Sequence, residues 1–395
     1  MTALEIRASV SLASIFALRL LGLFLILPVF AIYAQSIAGG NDPTLVGLAL
    51  GIYGLTQGLL QIPYGAASDR LGRKPVIAAG LVVFAIGSFV AAAATDILWT
   101  IIGRAIQGAG AISAAVTAYI ADATRDEHRT KAMALVGGSV GLTFAGSLVL
   151  APALYVAIGV KGLFAMTGIL VVAAIGVLIW IVPPAPRKAD HSSQQATHRT
   201  LLDPQLLRLN VGIFVLHTVL MALFIVIPPI LVQTGGLPLS EHWKVYLPVV
   251  VLSFALMVKP LIEAERRALV RPLFIASIAL VLISHLGFLL LGNSLAWLAL
   301  WLLVFFTGFN ILEACLPSLV SRLAPASAKG LALGIYNTAQ ALGLFAGGVL
   351  GGAIAARWGP QAVFVFAALV TAAWCAIAFG MREVPIRVGI EAVSI

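Results

Sequence analysis

The sequence predicts an all-α membrane protein of twelve transmembrane helices arranged as two six-helix, pseudo-symmetric bundles. Three observations lead there. Of the 395 residues, 61% are hydrophobic and the mean hydropathy is +1.07, far above the roughly 45–50% apolar share of soluble domains. Apolar runs of about 20 residues, the length that crosses some 30 Å of hydrocarbon as a helix, recur twelve times. One long polar segment, residues 183–205 (PPAPRKADHSSQQATHRTLLDPQ), divides them six and six and reads as a flexible linker.

The spans fall near residues 10–35, 45–66, 75–95, 97–121, 131–155, 161–182, 206–233, 243–262, 272–292, 295–318, 330–354 and 360–381. They are continuous and rich in Leu, Ala and Gly, which argues against the alternating strands of an outer-membrane barrel. The first carries Arg19 and shows no small-residue cleavage site before the second, so it reads as a retained helix and not a signal peptide. The second repeats Tyr53, Gln57 and Gln61 every four residues, and the eleventh holds Tyr336, Asn337 and Gln340. Such polar stripes either line a path or bond helix to helix; packing and gating is the preferred reading for both. The eleventh continues into GLFAGGVLGGAIAA, a pattern of close helix packing rather than a nucleotide loop.

Charge sets the expected orientation. Nineteen of the 24 Lys and Arg fall on the termini and on the connections of one side, three (Lys161, Lys244, Arg357) fall on the other side, and Arg19 and Arg104 lie inside spans. By the positive-inside rule both termini are expected in the cytoplasm. The net charge of +9 therefore speaks for topology and not for nucleic acid. The two cysteines, Cys315 and Cys375, both sit in spans, the six histidines show no ligand spacing, and no phosphate-binding loop is present. Neither a metal, a cofactor nor an enzyme is implied. The organisation expected is a bundle over 1–182, a linker over 183–205, a second bundle over 206–382 and a cytoplasmic tail over 383–395.

The halves echo each other. LFLILP at 23–28 matches LFIVIP at 223–228, 200 residues on, and TKAMAL at 130–135 matches AKGLAL at 328–333, 198 residues on. DRLGRKP at 69–75 has a degenerate counterpart, ERRALVRP, at 265–272. Six helices per half keep both repeats in the same orientation, related by an axis along the membrane normal. A substrate path between the halves and a rocking motion follow from that arrangement.

The most charged turn is GAASDRLGRKP, residues 65–75. Gly65 lacks a Cβ and lets a neighbouring helix come close. Asp69 lies at the C-terminal end of the second span, where the helix dipole disfavours an anion, so it needs a partner. Arg73, four residues on, is one candidate. The other is the N-terminus of the eleventh span, near Lys329 and Gly330, which offers free N–H groups on the same face. The second pairing would form a latch across the two halves, closed when the cytoplasmic side is closed.

Gly65, Asp69, Arg70, Gly72, Arg73 and Lys74 fill every position of G-x-x-x-D-R-x-G-R-[RK], and the sequence thereby resembles the major facilitator superfamily. Arg104, Gln107, Gly108 and Gly110 in IIGRAIQGAG look like its antiporter motif in the fourth helix. RLLGLFLILPVF, GIYGLTQGLLQIPYG and EHWKVYL are most similar to the YajR-type drug/proton antiporters. That resemblance implies a charge relay in which Asp122, in YIADATRD, joins Asp69 and Arg73. The fifth span, GGSVGLTFAGSLVLAP, departs from the superfamily's antiporter pattern in lacking its Gly-Pro pair. Some YajR-type proteins carry a soluble C-terminal domain; IRVGIEAVSI, from Ile386, alternates like the first strand of one and reads equally as an unstructured tail.

Ionisable groups at membrane depth are costly and mark functional candidates. Arg104 lies about 10 Å from the outer end of its span by the helical rise; it either faces the cavity, holding substrate or water, or pairs with helix-end carbonyls. Glu313 is the only carboxylate deep in a span, where apolar surroundings favour the neutral form that a proton carrier needs. Its alternative is a fixed pair with Arg19, since both lie roughly 12 Å from the cytoplasmic end. Asn310, one turn before Glu313, could assist either role. Arg19 could instead reach back to the interface. His217 falls in a cavity-lining helix if the family fold holds, or is hydrogen-bonded in the core; His285 reads as structural.

The function expected is secondary active transport across the bacterial inner membrane by a monomer. The preferred reading is proton-coupled, multidrug-type efflux of lipophilic or cationic small molecules by alternating access. The alternatives are an importer or facilitator of a small metabolite, or a membrane sensor with vestigial transport.

Overall fold

The computed structural model describes residues 1–184, 203–290, 294–325 and 328–382. Most of the expected linker and the whole tail, with its strand-like alternation, lie outside the described residues.

Helix α1 (Ala3–Phe24) opens with a capping box, in which Glu5 N–H donates to Thr2 Oγ1 (3.2 Å) and Thr2 N–H to the Glu5 carboxylate (2.6 Å). After a break at Leu25 and Ile26 it continues as α2 (Leu27–Tyr33), with Pro28 in the first turn, where its missing N–H costs nothing. The second span is α3 (Pro43–Leu71) and the third α4 (Arg73–Ala93). The fourth is two pieces, α5 (Ile97–Ala109) and α6 (Ser113–Ala123). Asp42 and Asp96 cap α3 and α5, so their charges meet the orphan N–H groups of helix N-termini.

One long helix, α7 (Asp126–Gly176), is in truth two spans. At Gly159 the backbone takes φ 65°, ψ 177°. Fifty-one helical residues in line would stretch about 77 Å at 1.5 Å per residue. Yet Arg125, before the helix, bonds Glu5 at the start of α1, while Lys74 at the start of α4 donates to the Val182 carbonyl just beyond its end (2.6 Å). Both ends therefore lie on one face, and the chain reverses at Gly159. Eleven described helices are long and apolar enough to cross a membrane, and this one crosses twice, which restores twelve crossings.

The second half comprises α8 (Pro204–Gln233), α9 (Trp243–Arg266), α10 (Val270–Leu289), α11 (Leu295–Leu323), α12 (Lys329–Trp358) and α13 (Pro360–Phe379). Asp203 caps α8 and Ser294 caps α11. The repeat seen in sequence has a structural mark: Lys74 donates to Val182 O, and Arg271, 197 residues later, donates to Phe379 O (2.8 Å), 197 residues beyond Val182. Each bond ties the start of the third helix of a half to the end of its sixth.

Where the halves meet, the contact is made by backbone. A Cβ on Gly47 of α3 would lie 2.1 Å from Gly348 O of α12, and one on Gly348 would lie 2.4 Å from Gly47 O. Beside them Phe144 of α7 packs on Phe306 and Phe309 of α11, with ring centroids 6.0 and 5.7 Å apart. All of this lies toward the end remote from the chain termini. Toward the termini end, Gly330 and Gly334 of α12 and Gly137 and Gly138 of α7 have nothing within 4 Å of an added Cβ. The halves touch at one end and part toward the other.

A single residue, Gly72, joins α3 to α4 at φ 99°, ψ 153°. Side chains other than hydrogen strain this region by on the order of 1–3 kcal/mol. Gly72→Ala is accordingly expected to lower the melting temperature of the purified protein, and an unchanged value would show that the turn relaxes freely.

Candidate functional site

Two polar constellations stand out, one at the termini end and one between the helices. At the first, Arg73 is the centre. Its guanidinium donates to Asp69, to Ser68 Oγ (2.7 Å) and, through Nε, to Asp122 Oδ2 at the end of α6 (2.8 Å). Asp69 is thus held within its own half, its side chain 46% exposed, and the described residues give it no bond to the start of α12. Both Lys329 and Gly330 lie at the unpacked termini end. Lys74 serves the Val182 carbonyl, and Arg70 is exposed on the same turn. Gly65 has Ala114 at 3.5 Å from an added Cβ, ordinary contact, so a methyl group fits there in this conformation.

The second half repeats this arrangement with the charges exchanged. Arg322, 200 residues after Asp122, donates to Glu265 at the end of α9. Glu265 opens the degenerate counterpart at 265–272, and Arg322 stands one repeat offset from Asp122, a position to which hydropathy and motif spacing draw no attention.

The membrane-depth constellation joins three helices. Gln340 of α12 donates to Glu313 Oε1 of α11 (3.3 Å) and to His217 Nε2 of α8 (2.8 Å). His217 Nδ1 faces the Ile213 carbonyl at 3.2 Å, which can only accept, so the proton sits on Nδ1 and Nε2 is the acceptor. Glu313 Oε2 lies 3.9 Å from His217 Nε2, enclosed and without a hydrogen bond among the described residues. Sequence reasoning had placed Gln340 in a gating stripe; here it is the bridge between acid and imidazole.

Other candidates settle elsewhere. Arg19 does not pair with Glu313; it donates to Ser113 Oγ of α6 and Gln57 Oε1 of α3, each at 3.2 Å. Equal depth placed Arg19 and Glu313 together in sequence, but their helices belong to different halves and Arg19 turns inward to its own. Asn310 donates to Ser253 Oγ of α9 (2.9 Å) rather than assisting Glu313. Arg104 is fully buried, bonded to the Ala49 and Leu50 carbonyls of α3 and to Gln107 Oε1 (3.1 Å). Gln107 in turn donates to Ser88 Oγ (2.8 Å). His285 is held by the Val281 carbonyl and packs on Phe305.

Twelve membrane crossings in two halves that meet at one end, with a polar cluster at membrane depth, define a multi-pass membrane transporter. The chain belongs to the major facilitator superfamily: the profile of the family described as Major Facilitator Superfamily matches residues 12–347 and 266–392. It is 41% identical to the inner membrane transport protein YajR of Escherichia coli (strain K12) over 98% of this chain and 85% of that one. It is 26% identical to the multidrug resistance protein MdtH of Aeromonas hydrophila over 85% of each chain. The crystal structure of a bacterial homolog of the human lysosomal transporter Spinster superposes with a TM-score of 0.75 at 14% identity, over 96% of this chain and 97% of that one, a likeness of fold. The superfamily consists of transporters and not enzymes.

Proposed function

We propose that the protein is a proton-coupled exporter of lipophilic small molecules that works as a monomer in the bacterial inner membrane, with both termini in the cytoplasm. The observation that carries this reading is the hydrogen-bonded set of Glu313, Gln340 and His217. The only carboxylate deep in a span sits where three helices of one half meet, with one oxygen bonded and the other free to carry a proton.

In this reading the conformation described is open to the cytoplasm. Substrate enters between the halves and Glu313 gives up its proton to that side. The halves then rock together at the termini end and part at the Gly47 and Gly348 contact. Glu313 takes a proton from outside as substrate leaves, and the reset carries that proton inward. A proton on Oε2 removes a charge that is costly at membrane depth, so protonation biases the two-state equilibrium. Similarity to YajR and, more distantly, to MdtH supports a transporter of this class.

Adding a panel of lipophilic compounds to energised everted vesicles tests the coupling. Release of protons on addition is the expected response; no response to any compound would favour a metabolite importer, a facilitator or a sensor.

The Asp69 latch belongs to the same cycle. In the cytoplasm-closed form Asp69 would reach the start of α12, with Arg73 and Asp122 holding its backbone turn in place. Asp69→Asn is expected to enrich the cytoplasm-open form, read as faster labelling of cysteines placed along the cytoplasmic opening. Unchanged labelling would remove the latch from the account.

A further inference from the structure

The first half buries two positive charges, and the cycle above uses neither. Arg19 and Arg104 are both fully buried, and both lie over the Tyr53 ring, 5.6 and 4.9 Å from its centroid. Among the described residues no carboxylate lies within ion-pair distance of either. A buried guanidinium ordinarily finds an anion, because desolvating the charge is expensive.

The two differ in how far their donors are used. Every nitrogen of Arg104 has an acceptor in the protein: two carbonyls of α3 and the Gln107 amide oxygen. Arg19 has only Ser113 and Gln57, both neutral, and its Nε–H bonds nothing. Around it other polar atoms are equally unused. Gln61, one turn beyond Gln57 on the same face of α3, is fully buried with neither amide atom bonded, and the Tyr53 hydroxyl is also without a partner. Buried polar atoms are bonded in the great majority of cases. Three orphaned atoms on α3, the helix that supplies Gln57 and Tyr53 to Arg19, together with the unused Nε–H of the uncompensated cation, are therefore informative. One turn along toward the termini end, Tyr64 on α3 and Thr117 on α6 are only half-buried, so the cluster lies one turn below accessible surface.

We propose that Arg19 is the docking point for a carboxylate or other oxyanion of the transported molecule, with Gln61 and Tyr53 completing its hydrogen bonds. The substrate class is then lipophilic organic anions rather than lipophilic cations. This rests on the transport reading above and adds the chemistry of its cargo. Water could fill the hydrogen bonds but leaves the charge unpaired; the charge is what selects an anion.

Three probes that share a pyrene body separate these outcomes: pyrenebutyrate, pyrenebutanol and pyrenebutyl-trimethylammonium, titrated by fluorescence against the purified full chain. The wild type is expected to bind the butyrate about ten-fold more tightly than the alcohol, as a charge-assisted contact implies. Arg19→Gln should remove that preference and leave alcohol binding within about two-fold, and Arg19→Lys should restore part of it. Gln61→Leu, which keeps the charge, should weaken the butyrate alone by roughly three-fold. Equal affinity of the wild type for all three probes, or tightest binding of the ammonium, overturns the proposal whether or not any variant folds. Binding is read without a proton gradient, so the two readings fail separately. Proton exchange without anion preference sinks only this site, and anion binding without proton exchange sinks only the coupling.

Discussion

Glu313→Gln is expected to abolish ligand-driven proton release from energised everted vesicles while leaving the protein folded in the membrane. The substitution is nearly isosteric, and a glutamine oxygen still accepts the bond that Gln340 donates to Oε1 at 3.3 Å. What disappears is the second oxygen, which faces His217 at 3.9 Å and has no hydrogen bond among the described residues. A carboxamide cannot take up a proton there in the physiological range, so the conformational equilibrium loses its dependence on the proton gradient. Loss of coupling to the level of vesicles without the protein, with substrate binding retained, is the expected pattern. Full proton release from the variant would place the proton path elsewhere.

Gly348→Leu is expected to force open the end remote from the termini, which is the outer end in the proposed orientation. The α3 and α12 backbones are in contact there, and a Cβ on Gly348 would stand 2.4 Å from Gly47 O and 2.8 Å from Gly51 N. Two helices must separate to admit any side chain, and overpacking of this kind costs about 1–3 kcal/mol. That cost falls on the outward-closed form alone, so the population moves toward the outward-open form by roughly five- to 150-fold. A cysteine at Val46, 4% exposed beside this contact, reports the change in a background free of Cys315 and Cys375. Faster reaction with a membrane-impermeant maleimide from the periplasmic side is the expected result; an unchanged rate would show that something other than this packing keeps the outer end shut.

The membrane-crossing helices were legible in the sequence because hydrocarbon demands long apolar runs, and a polar gap as long as residues 183–205 cannot be hidden among them. The interruptions were not. The breaks at Leu25–Ile26 and at Gly110, and the single-residue reversal at Gly159, leave hydropathy unchanged and depend on backbone geometry alone. Of the site, the charged turn was readable because Asp69 and Arg73 are four residues apart at one helix end, whereas Asp122 was reached only through the resemblance to the YajR-type family. The membrane-depth cluster was half readable. Glu313 announced itself by its rarity, but Gln340 lies 27 residues from it and 123 from His217, and only the rotation of α8, α11 and α12 about their axes brings the three together. The alternative considered for Glu313, a pair with Arg19, is absent among the described residues for the same reason: depth in the bilayer is one coordinate of three.

The central claim, that a proton gradient drives uphill movement of a lipophilic molecule, is tested most directly with the purified protein in liposomes under an imposed pH gradient. The account predicts that a lipophilic fluorescent probe accumulates on the acidic side above its equilibrium level, and that a protonophore or Glu313→Gln abolishes the accumulation. Equal distribution of the probe, with the gradient undisturbed and the wild type demonstrably able to bind it, would contradict the claim.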